Sequence, residues 1–189
     1  MEWTIPLQTF EVGKVQIGPL TSGPKRLAPF NYADGELRFP NLSILLPVAT
    51  VKSYDATTGR LALNLPHSSA GLARLRTFQD MLVQSVISQQ RTWFPGEHPR
   101  TSEEIRAGFQ SMLEGDTLHL YCPSVSTGIQ DIHVHSKGGW TQGVKASFLQ
   151  PGYPVRLAIR IQGLSFHQST SGWTGKFRLQ HRVLSVLVP

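Results

Sequence analysis

The sequence has little cysteine, little charge and no long apolar run, and each shortage excludes a class of protein. Its 189 residues contain one cysteine, Cys122, which excludes an intramolecular disulfide and a cysteine-rich zinc site. Charged residues make up 16% of the chain, too few for a coiled coil, while the 40% of apolar residues are too many for a disordered protein. No apolar run is long enough to span a membrane, so no membrane association is expected.

Signals for secretion and catalysis are missing as well. Residues 1–6 have neither the charged start nor the apolar core of a secretory signal, which predicts an intracellular, soluble protein that is not secreted. No glycine-rich loop ending in Gly-Lys-Ser/Thr is present to hold a nucleoside triphosphate, and there is no His-Glu-x-x-His zinc motif. Cys122 has no sequence feature of a reactive thiol. The protein is therefore not expected to be an enzyme.

Three histidines on predicted strands, His119, His133 and His135, are the best candidates for a metal site. His133 and His135 can place two imidazoles on one side of a strand, but zinc needs a third ligand and a supporting shell of hydrogen bonds. Scattered strand histidines are more often structural. We therefore predict no metal, no cofactor and no catalytic residue, and stoichiometric zinc in the purified protein would contradict this.

Acidic residues are absent from the C-terminal part of the chain. The formal net charge is +6, and Asp131 is the last acidic residue. The segment that follows contributes +7, so the remainder sums to −1. Its cations are Lys137, Lys145, Arg156, Arg160, Lys176, Arg178 and Arg182. A localised excess of this kind is typical of a surface that binds a polyanion.

The pattern of apolar residues predicts one β-rich α+β domain over residues 1–189. Short strands separated by Gly-Pro and other turn signals fill residues 1–66, a helical segment covers 67–115, and a basic sheet follows over 116–189. Strands are expected at 117–121, 129–134, 144–148, 155–162 and 176–188. Two helices, at about 69–91 and 101–114, are inserted in or flank the sheet.

Local signals mark the ends of both helices. Ser68 or Ser69 can cap the first, whose apolar residues recur every three to four positions. Thr101 and Glu104 have the spacing of a capping box at the start of the second. The apolar stripe of this second helix is predicted to consist of Ile105, Phe109 and Met112, and Gly115 with Asp116 to end it.

The last two predicted strands form the most informative segment. Alternate residues of a strand point to opposite faces, so an antiparallel hairpin would bury the aliphatic side chains and gather cations and amides on the other face. That face consists of Arg156, Arg160, Gln162, Lys176, Arg178, Gln180 and Arg182. Arginine binds phosphate with paired donors and stacks on bases, which favours a polyanion ligand. The alternative is a solvated outer face without a ligand.

Aromatic residues accompany these cations. The segment 163–175 reads as a loop of small polar residues around Trp173, and we predict that Trp173 stacks on a nucleobase. Trp140, close to Lys137 and Lys145, has similar surroundings and is also a candidate for base stacking. The alternative for both is a tryptophan folded back on the edge of the sheet. Trp93 and Phe94, between the helices, are expected to pack on the core.

The order of several short motifs resembles that of the single-stranded-DNA-binding proteins of large nucleocytoplasmic DNA viruses of eukaryotes. The motifs are a proline-bounded apolar strand and an aspartate turn (39–55), Trp-Phe after a helix (93–94), a Ser-x-Glu helix start (102–109) and a Gly-x-x-Val strand leading to Ile-x-Gly-Leu-x-Phe (152–166). The likeness extends from about Phe39 to Val188, although residues 175–181 are more basic than the family pattern. It implies a small oligonucleotide/oligosaccharide-binding (OB-fold-like) barrel.

The resulting hypothesis is a non-sequence-specific binder of single-stranded DNA, with RNA as an alternative ligand. The resemblance implies a viral or mobile-element protein of DNA replication, repair or recombination, located in the host nucleus or a cytoplasmic viral factory. The candidate nucleic-acid-binding residues are Lys137, Trp140, Lys145, Arg156, Arg160, Trp173, Lys176, Arg178, Gln180 and Arg182. The alternative is a viral structural or assembly protein with a jelly-roll-like β fold. Either hypothesis allows homo-oligomers, and neither specifies the replication partners.

Overall fold

The computed structural model describes residues 3–67, 69–129 and 131–189. Within these ranges there are two α-helices and fourteen β-strands. The strands before the helices are β1 (Ile5–Pro6), β2 (Val15–Ile17), β3 (Arg26–Asp34), β4 (Leu37–Phe39), β5 (Leu42–Leu45), β6 (Ala49–Asp55) and β7 (Arg60–Asn64). The helices are α1 (Ala70–Trp93) and α2 (Ser102–Gly108). The strands after them are β8 (Phe109–Gln110), β9 (Leu113–Glu114), β10 (Thr117–Tyr121), β11 (His133–Ser136), β12 (Gly139–Gln142), β13 (Pro154–Ser169) and β14 (Gly172–Leu187).

The strands join in one large, open, mixed sheet. Its main path runs in the order β12-β11-β14-β13-β6-β7-β10-β9, and the remaining strands attach to β3, β5, β13 and β14. The predicted β-rich α+β class is therefore confirmed. The closed OB-fold-like barrel is not confirmed, because the pairing describes an open sheet.

A long hairpin of β13 and β14 organises this sheet. Each strand has 16 residues, and β13 pairs in turn with β6, β5 and β3 along its length. Three register shifts interrupt the β13–β14 pairing, at Ala158/Ile159, Ile161/Gly163 and Phe166/Gln168. Bulges of this kind bend and twist a strand, which lets one hairpin contact several neighbours that lie in different directions.

Helix α1 covers the core with the predicted apolar stripe. Leu72, Leu75, Phe78, Leu82 and Val86 are all buried, and the Phe78 ring contacts Phe10 and Phe30 edge-on. The helix begins after Ser69, whose Oγ accepts a hydrogen bond from the Leu72 amide at 3.1 Å. Ser68, the other predicted cap, lies outside the described residues.

The predicted second helix is too long. Its capping box is confirmed, since Thr101 and Glu104 exchange both hydrogen bonds, but α2 ends at Gly108 and not near residue 114. Gly108 packs directly on the Gly175 carbonyl, which leaves no room for a side chain. The chain then forms β8, where Phe109 pairs with Phe177 of β14 in parallel. Phe109 and Met112 therefore do not continue a helical stripe with Ile105, and pairing with a distant strand decides the outcome.

The predicted strands have mixed outcomes. The strand at 117–121 is confirmed. In the hairpin of β6 and β7, Gly59 has the positive φ of +72° that its turn requires. Of the strand predicted at 129–134, residue 130 lies outside the described residues, and the described strand β11 begins at His133. The one predicted at 144–148 is wrong: it contains a 3-10 turn, Ala146–Phe148, and Val144 forms only an isolated bridge with Ser124. None of the helices in the described ranges is long and apolar enough to cross a membrane.

Candidate functional site

The two faces of the β13–β14 hairpin separate apolar from basic side chains as predicted. The aliphatic residues of one face of β13 are buried: Val155, Leu157, Ile159 and Ile161. Arg156 and Arg160, which alternate with them along the strand, are half-buried on the other face. On β14, Lys176, Arg178 and Arg182 are exposed and Gln180 is half-buried. Arg160 lies directly opposite Arg182 across the pair. Like charges opposite each other destabilise a sheet unless an anion lies near them.

A wide groove crosses this face, and we call it the tryptophan groove. It has a volume of about 900 Å³, and its lining residues lie just before β1, at the β4–β5 turn, and on or beside β13, β14, β11 and β12. The pairing order β1-β5-β13-β14-β11-β12 places Trp3, which precedes β1, and Trp140, on β12, at its two outer margins, where they are 80% and 62% exposed. Arg160, Arg182 and other residues of β13, β14 and β11 line it between them. Large exposed aromatic side chains beside cations are typical of surfaces that bind unstacked bases.

One carboxylate lies in this groove. Asp131 forms an ion pair with Arg182, and both side chains are about half exposed to solvent. Because the pair is accessible, it is weak and water competes with it. Among the described residues that line the groove, the two arginines outnumber this single acid.

A second groove, which we call the cation groove, lies at the other end of the hairpin. It has a volume of about 370 Å³, and its charged lining residues are Lys25, Lys176 and Arg178, with His167 beside them. These three cations are exposed, and none of them forms an ion pair with any described residue. Gln180 also lines this groove, and its Nε2 donates a hydrogen bond to Gln162 Oε1 at 3.1 Å.

The structure contradicts the predicted position of Trp173. Residues 163–175 are not a loop, because β13 and β14 continue to a tight turn at residues 170–171. Trp173 is only 4% exposed, and its ring stacks on Phe94 with centroids 4.6 Å apart. Its Nε1 donates to the Lys176 carbonyl at 3.0 Å, and the Arg100 guanidinium lies 5.1 Å from the centre of its ring. A ring enclosed in this way has no face left for a nucleobase.

Of the other predicted site residues, some line one of the two grooves and the rest lie outside both. Trp140, Arg160 and Arg182 line the tryptophan groove, and Lys176, Arg178 and Gln180 line the cation groove. Lys137 lies exposed in the turn between β11 and β12, and Lys145 lies exposed beyond β12. Arg156 donates from Nε to the Leu46 carbonyl at 3.1 Å and lines neither groove.

Sequence reasoning missed several residues that line these grooves, among them Trp3, Lys25, Asp131 and His133. Trp3 reaches its position because β1 pairs with β5 in parallel, with Ile5 beside Ile44. Lys25 immediately precedes β3, whose Arg26 pairs with Phe166 of β13. A near-terminal tryptophan and a lysine outside the basic segment carry no local signal of these contacts. Only the pairing of distant strands reveals them.

The structure also places the cysteine and the three strand histidines that were considered as candidate sites. Burial raises the pKa of the Cys122 thiol to about 12, which makes it a poor nucleophile. His119, on β10, interacts with Glu114 of β9 at 3.2 Å, whereas His133 and His135 lie on β11. In the described part of the chain, no group of three His, Cys, Asp or Glu residues could hold a metal ion.

Comparisons with known proteins add no relative. No protein-family model, no curated protein and no solved structure matches the chain.

Proposed function

We propose that the protein binds single-stranded nucleic acid, foremost single-stranded DNA, in the tryptophan groove and without sequence preference. The observation that carries this proposal is the placement of Trp3 and Trp140, both largely exposed, on either side of Arg160 and Arg182. Apolar residues scattered singly over a surface are normal, whereas exposed aromatic side chains gathered in one groove mark an interaction site. The two rings offer faces for bases, and the arginines between them offer donors for the phosphates.

Single strands suit this groove better than a duplex. In a duplex the base faces are stacked on one another and are unavailable to a tryptophan, whereas every base of a single strand exposes its π-face. Because every base has such a face, stacking tolerates any sequence. Phosphate contacts would supply much of the affinity, so binding should weaken as the salt concentration rises.

The biological setting of this activity follows from the sequence resemblance alone. The likeness to viral single-stranded-DNA-binding proteins supports a role in DNA replication, repair or recombination inside the cell. It also supports an OB-fold-like relationship among the central strands. Both are proposals that depend on the binding activity, which is therefore the first property to test.

Fluorescence anisotropy with labelled oligothymidine, the matching duplex and the matching RNA tests this activity directly. We expect the oligothymidine to bind most tightly, with log K falling linearly against log salt. Equal or tighter binding of the blunt duplex would contradict the preference for single strands. No binding at low salt would contradict the proposal as a whole. Concentration-dependent light scattering without nucleic acid would instead favour the assembly protein considered above.

Substitution of Trp140 tests the stacking role. Trp140→Ala should weaken oligothymidine binding by about 1–3 kcal/mol, and Trp140→Phe, which keeps an aromatic face, should retain much of the affinity. Tyr153→Ala is a matched control, because Tyr153 is 47% exposed but lines neither groove. An alanine variant at Trp140 that binds as tightly as the unmodified protein would show that the groove has another role.

A further inference from the structure

Strand β14 connects the two grooves along one face. Lys176, Arg178, Gln180 and Arg182 alternate with residues that are buried or, at His181, half-buried, so all four side chains project from the same side of the sheet. The first three line the cation groove, and Arg182 lines the tryptophan groove. At the rise of an extended strand, Lys176 and Arg182 are about 20 Å apart along β14. A single extended ligand can therefore contact both grooves.

The two grooves differ in the chemistry of their exposed side chains. The tryptophan groove has two exposed tryptophans, and its Arg182 already has a carboxylate partner in Asp131. The cation groove has three exposed cations without ion-pair partners among the described residues. Its two phenylalanines, Phe166 and Phe177, are buried at 3% and 1% exposure and cannot stack on a base. With three exposed cations beside one exposed imidazole, that of His167, the cation groove is suited to phosphates more than to base faces.

From this difference we infer that the cation groove is a second subsite of the same nucleic-acid-binding site, and that it binds the phosphate backbone of a strand whose bases stack in the tryptophan groove. The inference rests on the proposed function. Between the subsites, the hydrogen-bonded amides of Gln162 and Gln180 provide a polar, uncharged crossing. Short oligonucleotides fill only the tryptophan groove, and longer ones also contact Lys25, Lys176 and Arg178.

Oligonucleotide length separates the two subsites. We compare labelled oligothymidines of about four and about twelve nucleotides, lengths within the range of single-strand sites. The longer one should bind more tightly and with a steeper dependence of log K on log salt, by roughly 0.7 for each added phosphate contact. Both should quench the fluorescence that Trp3 and Trp140 contribute, because both fill the tryptophan groove. Equal salt slopes for the two lengths would overturn the inference and leave the proposed function intact.

The double variant Lys176→Ala/Arg178→Ala tests the subsite itself. It should weaken binding of the longer oligonucleotide by at least about tenfold and flatten its salt slope by about 1.4, while the shorter one binds within about twofold of its original affinity. The matched control is Arg60→Ala/Arg91→Ala, which removes the same charge from exposed positions outside both grooves. Equal weakening for both lengths, or equal effects of variant and control, would overturn the inference. Failure of both lengths to bind the unmodified protein would overturn the proposed function as well.

Discussion

Two tryptophans with the same neighbours in sequence have opposite environments in this protein. Trp140 and Trp173 both stand in a Gly-Trp-Thr context at the start of the second strand of a hairpin. Trp140 is 62% exposed and contacts one ring, that of His135. Trp173 is 4% exposed and contacts three phenylalanine rings and one guanidinium. The environment of a tryptophan beside a turn is thus decided by residues that arrive from elsewhere in the chain.

The partners of Trp173 come from separate segments. Phe94 follows helix α1, Phe166 lies on β13 and Phe177 on β14, and together they enclose the indole from several sides. No such set reaches Trp140, because β12 is the outermost strand on the main path of the sheet and has one pairing partner, β11, among the described strands. The buried tryptophan therefore stabilises the fold, and the exposed one is available to a ligand.

The largest expected effect follows from removing each tryptophan in turn. Trp173→Ala should lower the free energy of unfolding by about 3–5 kcal/mol, because it leaves a cavity among packed rings. Trp140→Ala should change it by no more than about 0.5 kcal/mol, since its side chain is mostly in water. Urea denaturation of the two variants measures both values. Equal stability of the two variants would break the comparison and show that the aromatic cluster contributes little.

A second prediction concerns the buried side of the same hairpin. His181 precedes the exposed Arg182 on β14, and its Nε2 accepts a hydrogen bond from the Tyr121 amide at 2.8 Å. Burial, with a smaller contribution from the charge of Arg178, lowers the pKa of His181 to about 4. The unfolded chain, whose histidines titrate near 6.5, binds a proton earlier as the pH falls. The stabilisation from neutral His181 is therefore complete above about pH 6.5 and is lost progressively as the pH falls towards 4.

The expected loss is about 2 kcal/mol between about pH 8 and pH 5, a range above that in which most carboxylates protonate. Urea denaturation at several pH values measures it. His181→Gln, which does not titrate, should remove most of this dependence, whereas His98→Gln at an exposed position should leave it unchanged. A His181→Gln variant with the pH dependence of the unmodified protein would show that another group is responsible.

Local patterns in the sequence predict much of this hairpin but not its surroundings. Strict alternation along residues 155–162 and 176–183 predicts which face is buried and which is basic, because a strand of period two leaves no other arrangement. The burial of Trp173 is not predictable in this way, since Phe94 is far from it in the chain. The end of α2 at Gly108 likewise depends on close contact with the Gly175 carbonyl.

In the candidate site, too, local patterns predict some residues, and contacts between distant segments decide the others. Trp140, Arg160 and Arg182 were identified from local composition and alternation, and they line one groove. Trp3 and Lys25 were missed because their positions depend on the pairing of β1 with β5 and of β3 with β13. Long-range pairing is the information that a single sequence expresses least directly, so the residues that complete the grooves are those that sequence reasoning omits.

The smallest expected effect concerns the helix start that supports the buried tryptophan. Arg100, whose guanidinium contacts the Trp173 ring and donates to the Trp173 carbonyl at 2.6 Å, immediately precedes the capping box of α2. Thr101→Ala removes the hydroxyl that accepts from the Glu104 amide at 3.2 Å and should lower the free energy of unfolding by about 1 kcal/mol. Thr101→Ser keeps an acceptor that is favoured at least as strongly at a helix start, so it should leave the free energy of unfolding nearly unchanged. Urea denaturation compares the two, while oligothymidine binding at the exposed Trp140 should be unchanged in both.

An alanine variant as stable as the serine variant would show that the Thr101 hydroxyl does not stabilise this helix start. A loss of oligothymidine binding would show that the environments of Trp173 and Trp140 are coupled.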